Sequence, residues 1–296
     1  MNIFKKILPV ILIIAMMLSA VSCDYDKQED PPKTGGSFDQ EKYTVTVLNP
    51  YGKPMPDVTV YVHKDGEQDY NVCTAPISTD SEGKAEFTLD PSFDYSVQLA
   101  NYPLVYSAKE GNTPADRYAF ENNSVTAVLE NNDAYTPRSY TVGSPMANFS
   151  ITDIDGNTYE LAELLKTKKV VMLNFWFYGC PPCAAEFPAV NTAYASFSGD
   201  VEILAINDYP SDTVEKVEGY ESYRGFDLDM PLFKLEYGSE VSITRFPSNG
   251  YPTTVIIDRY GIVSAIHVGA VTSTSRWNQL FEYYTSDSYD GTPYNF

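Results

Sequence analysis

Cysteine and histidine are scarce in these 296 residues, four and two respectively. Four cysteines cannot staple a chain of this length, so the small disulfide-rich class is excluded. A structural zinc site needs four ligands. Besides Cys180 and Cys183 the chain offers Cys73, His63 and His267, none grouped with a second ligand, so no metal and no cofactor are expected. Positive charge is short as well: 20 Lys and Arg against 40 Asp and Glu give a net charge of −20. Such a balance repels polyphosphate and removes nucleic acid as a partner. Long apolar runs are missing except near the N-terminus. There, Ile7 to Leu18 falls short of the roughly 20 residues a spanning helix needs and contains Pro9.

That N-terminal stretch, with Lys5 and Lys6 before it and small residues after it, has the layout of an export signal over residues 1–22. Its removal takes two lysines and shifts the net charge from −20 to −22. Ala20-Val21-Ser22-Cys23 resembles a bacterial lipobox, with Ala20 where Leu is usual. The resemblance implies that Cys23 carries the lipid of a membrane anchor, two acyl chains being what stable anchoring requires. An ordinary secretory signal with Cys23 nearby is the alternative. Residues 23–40, rich in Asp, Pro, Lys, Gly and Ser, read as a flexible tether. The expected location is extracytoplasmic, at the bacterial membrane or envelope.

Two halves of different character follow. Over 41–130, runs such as YTVTVLN (Tyr43 to Asn49), VTVYVHK (Val58 to Lys64) and YSVQLAN (Tyr95 to Asn101) alternate apolar and polar residues, with turn residues between them. Period two predicts strands and a small all-β sandwich. GKPMPDVTVYV (Gly52 to Val62) and TDSEGKAEFTL (Thr79 to Leu89) resemble carboxypeptidase-regulatory-like or prealbumin-like modules, which implies a spacer or binding platform. Cys73 is expected to be a small core side chain. Residues 131–145 are polar and aperiodic and mark the boundary. Over 146–286 strands and helices alternate. KVVMLNFWF (Lys169 to Phe177) and VEILAIN (Val201 to Asn207) read as buried parallel strands. An apolar stripe at Phe187, Val190, Tyr194 and Phe197 makes Pro181 to Phe197 a helix. With a further helical stretch near Val214 to Tyr223, then TTVIID (Thr253 to Asp258), IVSAIHV (Ile262 to Val268) and a last helix from Ser273, the order is βαβ plus ββα, and 287–296 is left as a tail.

Cys180 and Cys183 fall just after a buried strand, at the first turn of a helix. Partial positive charge at a helix N-terminus favours the thiolate, the species that attacks disulfides. Cys180, outside the first turn, is expected to be accessible and to attack; Cys183, one turn in, to resolve the mixed disulfide. Pro181 and Pro182 suit helix positions whose N–H groups lack partners anyway.

NFWFYGCPPCAAEFP (Asn174 to Pro188) and GYPTTVIIDRYG (Gly250 to Gly261) resemble the thioredoxin superfamily, and within it the membrane-tethered TlpA/ResA-like oxidoreductases. The resemblance implies a thioredoxin-like α/β fold and dithiol-disulfide exchange with exported proteins, as a reductant recharged by a membrane electron donor. It also implies a cis Pro252, with Tyr251 beside the substrate backbone, and a proton-shuttling Glu186; a plain surface carboxylate is the other reading of Glu186. Trp176 and Tyr178 are candidates for substrate contact, against core packing for Trp176 and a solvent-facing ring for Tyr178. The sequence departs from the family at Gly179, where Trp is usual, and at Asn174, where classical thioredoxins have Asp. Two other functions compete: an adhesion or scaffold lipoprotein acting through the sandwich, and a thiol peroxidase. The peroxidase reading wants Thr three residues before the attacking cysteine, where this chain has Phe177.

Overall fold

The computed structural model describes residues 40–66, 72–109 and 114–294. The export signal, Cys23 and nearly all of the tether lie outside the described residues.

The first half is built from β1 (Glu41–Leu48), β2 (Thr59–Lys64), β3 (Ile77–Ser78), β4 (Lys84–Leu89), β5 (Tyr95–Ala100), β6 (Tyr106–Ser107), β7 (Tyr118–Ala119), β8 (Ser124–Val128) and β9 (Glu130–Asn131). One sheet has the order β4-β1-β8 and the other β3-β2-β5-β7, while β6 and β9 form a separate ladder. The sequence alternation becomes a burial alternation. Tyr43, Val45 and Val47 of β1, Phe87 and Leu89 of β4, Val60 and Val62 of β2, and Val97 and Leu99 of β5 share one core. Cys73 is buried in that core, as expected.

The second half contains β10 (Ser150–Thr152), β11 (Thr158–Glu160), α1 (Leu161–Leu164), β12 (Val170–Trp176), α2 (Pro181–Phe197), β13 (Val201–Asn207), α3 (Val214–Glu218), α4 (Tyr220–Arg224), β14 (Leu232–Lys234), β15 (Thr253–Asp258), β16 (Val263–Val268) and α5 (Thr274–Thr285). Its five-stranded sheet runs β14-β13-β12-β15-β16. β12 pairs parallel with β13 and antiparallel with β15. Every residue of β12 is buried, and successive residues serve opposite faces. Val170, Met172 and Trp176 join α2 and α5 on one side; Val171, Leu173 and Phe175 join Tyr140, Phe149 and Phe246 on the other.

Two segments read as linker and tail are packed. Tyr140 is buried and stacks on Phe246 at 5.4 Å, and Gly143 N and Met146 N donate to the carbonyls of Val263 and Gly261. Tyr289 is buried and its hydroxyl donates to Asp258 Oδ2 at 2.7 Å. The single helix expected near Val214 to Tyr223 is broken at Gly219 into α3 and α4.

The two halves meet at the turn between β15 and β16. Asn49, wholly buried, donates through Nδ2 to the Tyr260 carbonyl (2.8 Å) and to the Tyr106 hydroxyl (3.2 Å). Its Oδ1 accepts from Tyr51 N and Lys53 N. Gly261, at φ +71°, lies under the Tyr51 ring so closely that a Cβ would sit 2.3 Å from it. Asn49→Ala strands the Tyr260 carbonyl and the Tyr106 hydroxyl in the interior. The expected loss is about 3 kcal/mol of unfolding free energy, seen as a lower urea midpoint at unchanged slope.

Candidate active site

β12, the middle strand, delivers the chain to one end of the sheet, where Phe177, Tyr178 and Gly179 turn it into α2. Cys180 is the N-cap of that helix, with Pro181 and Pro182 at its first positions. Cys180 and Cys183 form a disulfide with their Cα atoms 5.3 Å apart. Cys180 Sγ accepts the Cys183 backbone N–H at 3.1 Å, so an otherwise orphaned helix donor points at the sulfur expected to attack.

The expected exposure of Cys180 is not what the structure has: Cys180 and Cys183 are both 0% exposed in the disulfide form. They lie in the core on the α2 side of the sheet, with Phe177, Tyr178 and Tyr251 packed against that core. A helix N-terminus is an open position in isolation; here it is sunk into the core beside Phe177 and Tyr178 from the preceding turn and Tyr251 from the segment before β15.

Glu186, three residues after Cys183 and thus one turn along α2, is fully buried, which corrects the surface alternative. Its Oε1 accepts from Asn174 Nδ2 and its Oε2 from the Val271 backbone N–H, both at 2.7 Å. Burial pushes its pKa up to about 7, with the two hydrogen bonds pulling the other way. Asn174 stands on β12 where Asp is usual in classical thioredoxins, and its own Oδ1 is buried without a hydrogen-bond partner.

The Tyr251–Pro252 peptide is cis. β15 starts one residue later and places Thr253 opposite Phe175, so cis Pro252 reaches the same end of the sheet as the cysteines. Tyr251 is half-buried and its hydroxyl donates to Asp208 Oδ1 at 2.9 Å. Tyr178 is also half-buried: its backbone N–H donates to Asp212 Oδ2 at 2.7 Å, and its ring stacks on Tyr223 at 4.9 Å. Trp176 is not a surface for substrate. It is 0% exposed and packs edge-on against Phe187, because a residue of a central strand is covered on both faces.

Asp208 and Asp212 belong to no motif that sequence reasoning recognises. Both are buried; Asp208 follows β13 directly and Asp212 lies four residues further on, at the end of the strand beside β12. Carboxylates just after a largely apolar strand are the signal that could have found them. Among the described residues, no three His, Cys, Asp or Glu side chains gather as a metal site would, and no helix is long and apolar enough to cross a membrane.

Residues 142–266 match the AhpC/TSA family. The chain is 34% identical over 133 residues to the thiol-disulfide oxidoreductase ResA of Halalkalibacterium halodurans, covering 44% of this chain and 70% of that protein. It is 30% identical over 139 residues to the thioredoxin-like protein YneN of Bacillus subtilis, covering 47% and 78%. A solved thiol:disulfide interchange protein of the thioredoxin family from Chlorobium tepidum is 23% identical and covers 49% of this chain and 97% of its own, with a TM-score of 0.38. An identity of this size across more than two thirds of ResA makes the chain, through its second half, a member of the ResA-like thiol-disulfide oxidoreductases of the thioredoxin superfamily.

Proposed function

We propose that the protein is a lipid-anchored, extracytoplasmic reductant of disulfides in exported proteins, recharged by a dithiol donor in the membrane, with Cys180 and Cys183 as its redox pair. The observation that carries this is the Cys180 sulfur at the N-cap of α2, facing the Cys183 N–H. Electrostatics of this kind stabilise a thiolate there once the pair is reduced.

The exchange then runs in two displacements. The Cys180 thiolate attacks one sulfur of a substrate disulfide, forming a mixed disulfide and expelling a substrate thiolate. The Cys183 thiol loses its proton to the Glu186 carboxylate and attacks Cys180 Sγ. The second substrate thiolate leaves, and the protein ends as the Cys180–Cys183 disulfide. Two electrons pass to the substrate, and the membrane donor supplies two electrons and two protons to restore the dithiol. A Glu186 pKa of about 7 leaves both protonation states populated near neutrality, as a proton carrier requires. The cis Pro252 edge beside Tyr251 receives the extended substrate, and Tyr178 bounds the opposite side. Cys23 carries the lipid, and the β-sandwich holds the redox half away from the membrane.

Equilibration of the purified protein in defined thiol buffers tests the direction of flow. A reduction potential near −270 mV, that of thioredoxin, is expected for a reductant. A value near −120 mV makes the protein an oxidant instead, and the absence of a reversible couple removes the redox assignment.

A further inference from the structure

Cys180 must meet an incoming sulfur, yet the disulfide form offers it no open surface. Three aromatic rings cluster with one another at this end of the sheet, and two of them, Phe177 and Tyr251, pack against the core that holds the pair. Phe177 precedes the pair by three residues, Tyr209 follows β13, and Tyr251 precedes cis Pro252. Phe177 and Tyr209 stack at 4.7 Å, Phe177 and Tyr251 meet edge-on at 5.4 Å, and Tyr209 and Tyr251 edge-on at 6.0 Å. The Phe177 ring also lies over Gly179, 3.6 Å from where a Cβ there would stand. Tyr209 is the outer leaf, 37% exposed.

This wall is fastened from below. Asp208 is wholly buried: its Oδ2 accepts from Ser242 Oγ (2.7 Å) and Ile243 N (2.8 Å), and its Oδ1 accepts from the Tyr251 hydroxyl. Four residues on, Asp212 holds the Tyr178 backbone and accepts from Asn207 Nδ2 at 3.0 Å. On that side the Tyr178 ring continues into Tyr223, 60% exposed. One short loop after β13 thus anchors the Tyr251 hydroxyl and the Tyr178 backbone, and Tyr209 and Tyr223, the rings that pack beside them, are exposed.

We propose that Tyr209 and Tyr251 close a gate over the Cys180–Cys183 disulfide, that Asp208 is its latch, and that the exposed rings of Tyr209 and Tyr223 admit extended polypeptide segments with an aromatic side chain beside cysteine in preference to small thiols. The proposal rests on the oxidoreductase reading and names the substrate class of the same site. A peptide ring stacking on Tyr209 or Tyr223 takes over the ring-on-ring packing that the gate gives up as it opens. A small dithiol has no surface for that exchange and waits for the Tyr251–Asp208 hydrogen bond to open by itself. In this reading Asp208 is a positioning residue and touches no substrate.

The test is the rate at which the disulfide of the full protein is reduced by two probes: dithiothreitol, and an unstructured peptide with two cysteines each flanked by tyrosine. Each reaction oxidises one dithiol and reduces one disulfide. Tyr209→Ala is expected to speed dithiothreitol and slow the peptide, so that the peptide-to-dithiothreitol rate ratio falls about tenfold. Tyr251→Phe, which keeps the ring and removes the latch, is expected to speed dithiothreitol more than the peptide, so that the ratio falls in this variant too. A ratio unchanged in both variants, or both probes shifting together, overturns the gate, since mere loosening of the fold moves both alike. If the protein fails to reduce insulin disulfides while the ratio still collapses in Tyr209→Ala, the gate stands and the assigned reductant role falls.

Discussion

Cys180→Ser is expected to reduce disulfide exchange to the uncatalysed rate, while Cys183→Ser leaves the first displacement intact and accumulates a mixed disulfide with the substrate. The asymmetry follows from the start of α2. Only Cys180 occupies the N-cap, and its sulfur already receives the Cys183 N–H. A serine hydroxyl there gains the same hydrogen bond but does not ionise near neutral pH, so no nucleophile forms. Loss of the fold does not account for the effect, because the disulfide closes a loop of four residues and contributes about 2 kcal/mol in the chain-entropy account. Mass spectrometry of the protein after incubation with a disulfide substrate distinguishes the two variants: an adduct on Cys180 for Cys183→Ser and none for Cys180→Ser. Adducts of equal yield in both would place the nucleophile elsewhere.

Glu186→Gln is expected to make the protein more stable and slower. The carboxyl group's pKa rises from its ordinary 4.5 to about 7 on folding, chiefly through burial. Between these values the folded chain binds more protons than the unfolded one, so stability falls as pH rises from 4.5 to 7 and the full penalty holds above 7. A shift of that size corresponds to about 3 kcal/mol. Glutamine carries no charge and escapes the penalty. It can also keep both contacts: its oxygen accepts from Val271 N, and a rotated Asn174 offers its unpartnered Oδ1 to the new amide N–H. Urea unfolding at pH 8 is therefore expected to show a gain of about 3 kcal/mol over the parent that shrinks toward zero near pH 4.5. Turnover is expected to drop about a hundredfold, the usual scale for losing a placed proton acceptor, and to lose its rise through pH 7. A pH-independent stability difference would show that Glu186 does not titrate in this range. A rate equal to the parent's would assign its proton to water.

The parts of this architecture that are legible in sequence are those with a local signature. β12 and β13 are largely apolar runs, α2 has a stripe at helical spacing, and the CPPC pair stands at the junction of β12 and α2. β14 escapes because three residues after Pro231 carry too little periodicity to be distinguished from loop. The helix after β13 is legible as a stretch but not as two pieces, since Gly219 interrupts it without ending its apolar pattern. Burial of Cys180 is not legible: Phe177, Tyr209 and Tyr251 converge only once β13 and β15 flank β12. Glu186 is identified through resemblance, but its burial depends on Asn174 from the strand and Val271 from the segment before α5. Residue type alone misplaces Trp176, because an aromatic near a redox pair serves substrate contact or core packing equally well until the face it occupies is known.

The contact between Asn49 and Tyr260 also limits how the two halves can be recombined. The turn between β15 and β16 is an ordinary hairpin connection of a redox domain, yet here its carbonyl and its glycine are fitted to a side chain and a ring of the preceding module. A second half excised alone would expose an unpaired Tyr260 carbonyl and a hollow shaped to Tyr51, and the first half would lose the surface that buries Asn49. Neither is a free cassette: gene fusions that swap one half must carry Asn49, Tyr51, Tyr260 and Gly261 as a matched set.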